Sequence, residues 1–136
     1  MDKINYTFEL DFSVRDYELD LQGIVNNAVY QNYLEHCRHE FLKSKGLDFH
    51  QMHLEGYDAV VVRSEIDYKK SLVSGDSFSV KIGVEREGRL KIVFQQQIIR
   101  KNDQAIILNA KIFAACIFNN RPIEPLLILE KMGLLS

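Results

Sequence analysis

The sequence predicts an α+β fold, a five-stranded antiparallel sheet wrapped around one long helix. Three observations lead there. Residues 27–45 repeat their apolar positions at helical spacing, while five other stretches carry strand patterns. The strands of the second half follow one another on turns too short for anything but antiparallel neighbours. A lone helix with a wide apolar stripe needs a large apolar partner, and only a curved sheet is big enough to cover it.

The first strand is Tyr6, Phe8, Leu10, Phe12 and Val14, alternating with Thr7, Glu9, Asp11, Ser13 and Arg15. The helix stripe is Tyr30, Tyr33, Leu34, Cys37, Phe41 and Leu42. Asn26 or Asn27 can cap its start, and Gly46 follows Lys45 as a stop. Val60, Val62, Ile66 and Tyr68 alternate with Arg63, Glu65 and Asp67. The turn "VSGD" then leads to Phe78, Val80, Ile82 and Val84. "REGR" places Gly88 where a tight hairpin wants one, and "KNDQ" joins residues 90–100 to 105–118. A short terminal helix is expected to start at Pro125 and stop at Gly133. In the last strand Ile106, Leu108, Ile112 and Cys116 form one apolar face, and Ile107, Phe113 and Ile117 the other. Its outer face calls for a cover, which a second subunit would supply.

Composition narrows the function. The 136 residues read as one domain, 46% hydrophobic and 26% charged, as in a globular protein. A net charge of −2 leaves no electrostatic footprint for nucleic acid, and no window is apolar enough for a membrane span. The start "MDKINYTFEL" lacks the layout of a signal peptide, so a cytoplasmic setting is expected. Cys37 and Cys116 show no metal spacing and read as buried thiols.

The stretch "DLQGIVNN", residues 20–27, sets a carboxylate, a glycine and two asparagines at the mouth of the long helix. An ordinary loop and cap look like this. So does a catalytic arrangement, because a helix start offers free N–H groups and the positive end of the helix dipole. In that reading Asp20 is a general base or nucleophile. Asn27 N–H, with Ala28 N–H beside it, is an oxyanion site. Gly23 lets the loop pass close to a ligand. "HCRHE" offers His36, His39 and Glu40, but in an order that favours surface histidines over a metal site. Tyr30, with Tyr33, Phe41, Phe49 and Tyr57, reads as core and pocket wall.

"DLQGIVNNAVY" before such a helix, then "VVVRSEIDYKK…GD" and two long strands, resembles the hot-dog-fold acyl-CoA thioesterases. The subgroup is that of 4-hydroxybenzoyl-CoA thioesterase and the Tol-Pal-associated thioesterase. The resemblance covers about residues 6–118. It implies hydrolysis of an acyl-CoA without metal or redox cofactor, Asp20 as the catalytic aspartate and Asn27 N–H as the carbonyl-polarising amide. It also implies homodimers that pair into tetramers, with active sites at the dimer interface. Basic residues near the β-hairpin meet the nucleotide in that family, which points to Arg89 and Lys91. Three positions depart from the pattern: Ile24 where many members have histidine, Glu18 for the first acid of a D-x-D pair, and Ser71 where many have proline. An acyl–acyl-carrier-protein thioesterase and a non-catalytic acyl binder are the alternatives.

Overall fold

The computed structural model describes residues 4–135. The elements are β1 (Phe8–Ser13), a 3-10 turn (Asp16–Glu18), α1 (Asn27–Ser44), α2 (Phe49–Leu54), β2 (Tyr57–Tyr68), β3 (Ser77–Glu87), β4 (Lys91–Arg100), β5 (Ile106–Phe118), β6 (Arg121–Ile123) and α3 (Leu126–Lys131). One antiparallel sheet runs in the order β1-β3-β4-β5-β2, and α1 lies against it, as the expected hot-dog architecture requires. No helix among the described residues is long and apolar enough to cross a membrane.

The buried residues of α1 are the six of the predicted stripe: Tyr30, Tyr33, Leu34, Cys37, Phe41 and Leu42. The helix is about 27 Å long at the α-helical rise. Asn26 is its N-cap, accepting a hydrogen bond from Ala28 N–H. At the other end Gly46 takes φ 81°, Leu47 N–H donates to Leu42 O, and Gly46 N–H donates to Lys43 O. That is a Schellman closure, and it needs the left-handed residue that glycine supplies.

The structure corrects the expectation in several places. The described residues form six strands: Asn119 and Asn120 both adopt positive φ, the geometry of a type I′ turn, and fold β6 back onto β5. The turn at residues 73–76 does not join neighbours. β2 pairs with β5 at one edge of the sheet, while β3 lies beside β1 near the other. Pro125 caps α3 rather than opening it. On β2 a register shift between Val61 and Arg63 breaks the predicted alternation. On β5 the expected pairing of Ile106 with the Leu108 face fails. An irregularity at Ile98/Ile99 turns Ile107 fully inward and leaves Ile106 at the surface.

β2 is twelve residues long and mostly exposed, with Val61, Val62 and Tyr68 each more than two-fifths accessible. A long edge strand with exposed apolar side chains is a ready pairing surface.

Candidate active site

Residues 18–26 form a small hairpin of their own. Leu19 and Val25 make an antiparallel bridge, Asp20 N–H donates to Ile24 O at 2.8 Å, and Asn26 N–H donates to Glu18 O at 3.1 Å. Asp20 O accepts from Gly23 N–H, and Gly23 takes φ 80° to close the turn. A Cβ on Gly23 would meet no protein atom within 4 Å, so the loop is open to an approaching molecule there.

The hairpin is fastened on two sides. Ile24 bridges Val73, and Val25 N–H donates to Leu72 O at 3.0 Å. Leu72 N–H in turn donates to the Tyr30 hydroxyl at 2.9 Å. Tyr30 is therefore core as predicted, 2% exposed, and its hydroxyl anchors the loop's neighbour. Burial of the Tyr30 phenol raises its pKa, which keeps it neutral. On the other side Glu18 accepts from Arg15 N–H at 2.8 Å and from the Tyr33 hydroxyl at 2.7 Å. Burial, together with the Glu18 carboxylate, pushes the Tyr33 pKa up strongly. Glu18 thus acts as a clamp for the loop.

Tyr30→Phe tests this anchoring. It keeps the ring but strands the buried Leu72 N–H, at a cost of about 1–3 kcal/mol. The expected result is a lower unfolding midpoint, measured by chemical denaturation, with little change in m-value. An unchanged midpoint would mean that another acceptor takes over.

The Asp20 carboxylate is exposed and accepts Gln22 N–H at 2.8 Å. At the start of α1, Ala28 N–H is taken by the Asn26 side chain and Val29 N–H by Asn26 O. Ala28 is therefore committed to the cap and does not serve as the second oxyanion donor considered above. Asn27 N–H makes no hydrogen bond among the described residues, and the positive end of the helix dipole lies there. Asp20, Gly23 and Asn27 thus share one loop-helix junction, with an available acid and an available amide.

Arg89 and Lys91 are elsewhere. They flank the β3–β4 turn, whereas the loop of residues 18–26 bridges Val73, just before the opposite end of β3. β3 separates the two ends by about 33 Å at the strand rise. Arg86 holds the turn, donating to Gly88 O and pairing with Glu124 at 2.8 Å. Arg89 is largely exposed and 3.5 Å from Glu124; Lys91 is exposed and makes no ion pair among the described residues.

A cavity of about 1050 Å³ opens between the C-terminal half of α1, α2, the start of β2 and the sheet. Its wall mixes Ile92, Phe94 and Ala114 with Arg38 and all four histidines. His36 and His39 are exposed, and no group of three or more His, Cys, Asp or Glu side chains among the described residues is placed to hold a metal ion. Cys37 faces the core, its thiol near Val80 O and pushed up to about 12 by burial, so it is not a nucleophile. Thiol-reactive dye should not label Cys37 in the folded protein within the time it labels a small thiol; rapid labelling would contradict its burial.

The chain is similar in sequence to known thioesterases. An acyl–acyl carrier protein thioesterase of Arabidopsis thaliana, described as chloroplastic, is 39% identical over 85% of this chain, which spans 62% of that relative's length. A long-chain acyl-CoA thioesterase of Escherichia coli is 27% identical, over 80% of this chain and 82% of its own. The crystal structure of a hypothetical protein from Aquifex aeolicus superposes with a TM-score of 0.85 at 29% identity, covering 93% of this chain and 99% of that one. The specific 4-hydroxybenzoyl-CoA and Tol-Pal subgroup is not singled out by these matches. Residues 22–107 match the thioesterase superfamily, and the chain belongs to that family.

Proposed function

We propose that this chain hydrolyses an acyl thioester, releasing a free acid and a thiol. The observation that carries this is the junction itself: an exposed Asp20 carboxylate on a loop that leads into a helix whose first amide, Asn27 N–H, has no acceptor among the described residues. Asn27 N–H takes the developing oxyanion, an interaction typically worth about 3–4 kcal/mol of barrier. Asp20 activates water or attacks the carbonyl. Gly23 keeps the approach clear, and Tyr30 holds the strand segment on which the loop rests. This chemistry needs no metal or redox cofactor.

The thiol carrier is coenzyme A or acyl carrier protein. The family resemblance favours the first, and the similarity to the Arabidopsis protein favours the second. Both present the same pantetheine arm.

A dimer formed through β2 fits both the exposed edge and the separation of the site's parts. Antiparallel two-fold pairing sets the Tyr57 end of β2 in one protomer beside the Tyr68 end in its partner. One protomer's catalytic loop then shares an end of the assembly with its partner's cavity and basic hairpin. Arg89 and Lys91 would meet the phosphates of coenzyme A there.

Thiol release from matched acyl-CoA and acyl-carrier-protein substrates tests the activity, and silence on both would overturn it. Reversing Arg89 and Lys91 to glutamate together is expected to raise KM for an acyl-CoA about tenfold while kcat holds, as for loss of uniform binding. An unchanged KM would make them solubilising edge charges.

A further inference from the structure

Two polar side chains lie in the core among the described residues, Ser79 and Gln96, and Gln96 is the deeper at 1% exposed. It sits mid-β4 on the face turned to α1, between Phe94 and Ile98, where a leucine would pack without needing partners. A buried amide is tolerated only when hydrogen-bonded. Gln96 Nε2 donates to Leu34 O at 3.0 Å, and its Oε1 accepts from Arg38 Nη1 at 3.0 Å. The amide therefore ties the helix to the sheet and fixes a guanidinium between them.

Arg38 is the unusual member of the pair. Its bond to Gln96 is the one it makes among the described residues, and no carboxylate there lies within 4 Å. Every buried side-chain nitrogen or oxygen among the described residues has a partner. The guanidinium nitrogens without a protein acceptor are thus not fully enclosed, and Arg38 lines two cavities. One is the 1050 Å³ cavity, and the other is a space of about 170 Å³ beside Val61, Ser64 and Ile112. Burial lowers the Arg38 pKa while the nearby Glu35 charge raises it, yet a guanidinium stays protonated. The wall around it mixes Val61, Ile92, Phe94 and Ala114 with polar side chains that include Glu35, Glu40 and Asp58. A fixed cation in such a wall, with donors to spare, is a recognition point for an oxygen acceptor.

We infer that Arg38, held by Gln96, reads an oxygen on the acyl group, so that the cavity selects acyl chains bearing a keto, hydroxyl or carboxylate oxygen over plain alkyl chains of the same length. Arg38 stands eleven residues along α1 from Asn27, about 16 Å at the helical rise, so within one chain it is remote from the oxyanion amide. It acts on which acyl group is held, not on the bond that breaks. The inference rests on the thioesterase reading for the identity of the ligand, but its test requires no turnover.

The test is the binding of S-alkyl pantetheine thioethers, which carry the arm common to both carriers and cannot be hydrolysed. The series is matched in length, with one plain member and others bearing a single chain oxygen at successive positions. Wild type is compared with Arg38→Met and Arg38→Lys by calorimetry. Wild type is expected to bind at least one oxygenated member tenfold or more tighter than the plain one. Arg38→Met should erase that preference without weakening the plain ligand, and Arg38→Lys should retain part of it. The proposal is overturned if wild type shows no preference, if the preference survives in Arg38→Met, or if that variant weakens both ligands alike. A changed oligomeric mass in Arg38→Met with no change in preference also overturns it, assigning Arg38 to a contact between protomers. An intact preference beside absent thiol release would sink the hydrolase reading and leave this one standing. Thiol release without preference would do the reverse.

Discussion

Asp20→Asn is expected to lower kcat for thioester hydrolysis by about 10²–10⁴, the usual contribution of a positioned general base. The fold should not notice. The asparagine Oδ1 still accepts Gln22 N–H, the one short hydrogen bond of the Asp20 carboxylate, and the position is exposed. Surface changes that keep their contacts stay within about 0.5 kcal/mol. Thiol release with equilibrium denaturation alongside reads both quantities. Asp20→Ala provides the contrast, because it removes the turn acceptor as well and should cost about 1 kcal/mol in addition to the same loss of rate. Turnover near wild type in Asp20→Asn would return this loop to the status of an ordinary helix entry.

The largest expected loss of stability comes from Phe78→Ala. Phe78 is fully buried at the start of β3. Its ring stacks on Phe12 at 5.3 Å and meets Tyr33 at 4.8 Å. Removing a buried phenylalanine costs about 3–5 kcal/mol through lost transfer energy and the cavity left behind. A domain of this size has only about 5–15 kcal/mol to lose. The effect should reach the candidate site, because Tyr33 rests on Phe78 and its hydroxyl donates to Glu18 at the root of the hairpin of residues 18–26. A sharply lower denaturation midpoint with reduced activity in the remaining folded fraction is the expected pair of results. Tyr33→Phe separates the two, since it keeps the ring and deletes only the bond to Glu18. A loss below 1 kcal/mol for Phe78→Ala would show that this aromatic cluster does not seat the loop.

Helix α1 was legible because its signals are local. The stripe from Tyr30 to Leu42, the asparagine cap and the Gly46 stop each act within a turn or two, and tertiary packing reinforced every one. Strands β3 and β4 were legible for the same reason, joined by a glycine turn where the pattern expected it. The position of β2 was not. A short polar turn normally joins neighbours, but residues 69–76 carry the chain across the sheet, and no local preference records that. Nor does residue type reveal a bulge: the shift at Val61/Arg63 and the one at Ile98/Ile99 change which side chains face inward. Asn119-Asn120 was a readable signal for β6, since paired asparagines tolerate positive φ.

At the site, residue types and order alone pointed to Asp20, Gly23 and Asn27 at a helix entry. Tertiary structure decided which amides remain available: the Asn26 cap consumes Ala28 N–H and leaves Asn27 N–H. It also decided that Arg89 and Lys91 stand at the far end of the sheet. Arg38 lies off the apolar stripe in sequence, and only the fold brings Gln96, far along the chain, up beneath it. The sequence by itself determined the helix, its ends, most strands and the chemistry available at one junction, because periodicity and capping are short-range physics. Strand order, bulges and the pairing of a buried amide with a cation belong to tertiary structure, because each depends on contacts between residues that no local pattern connects.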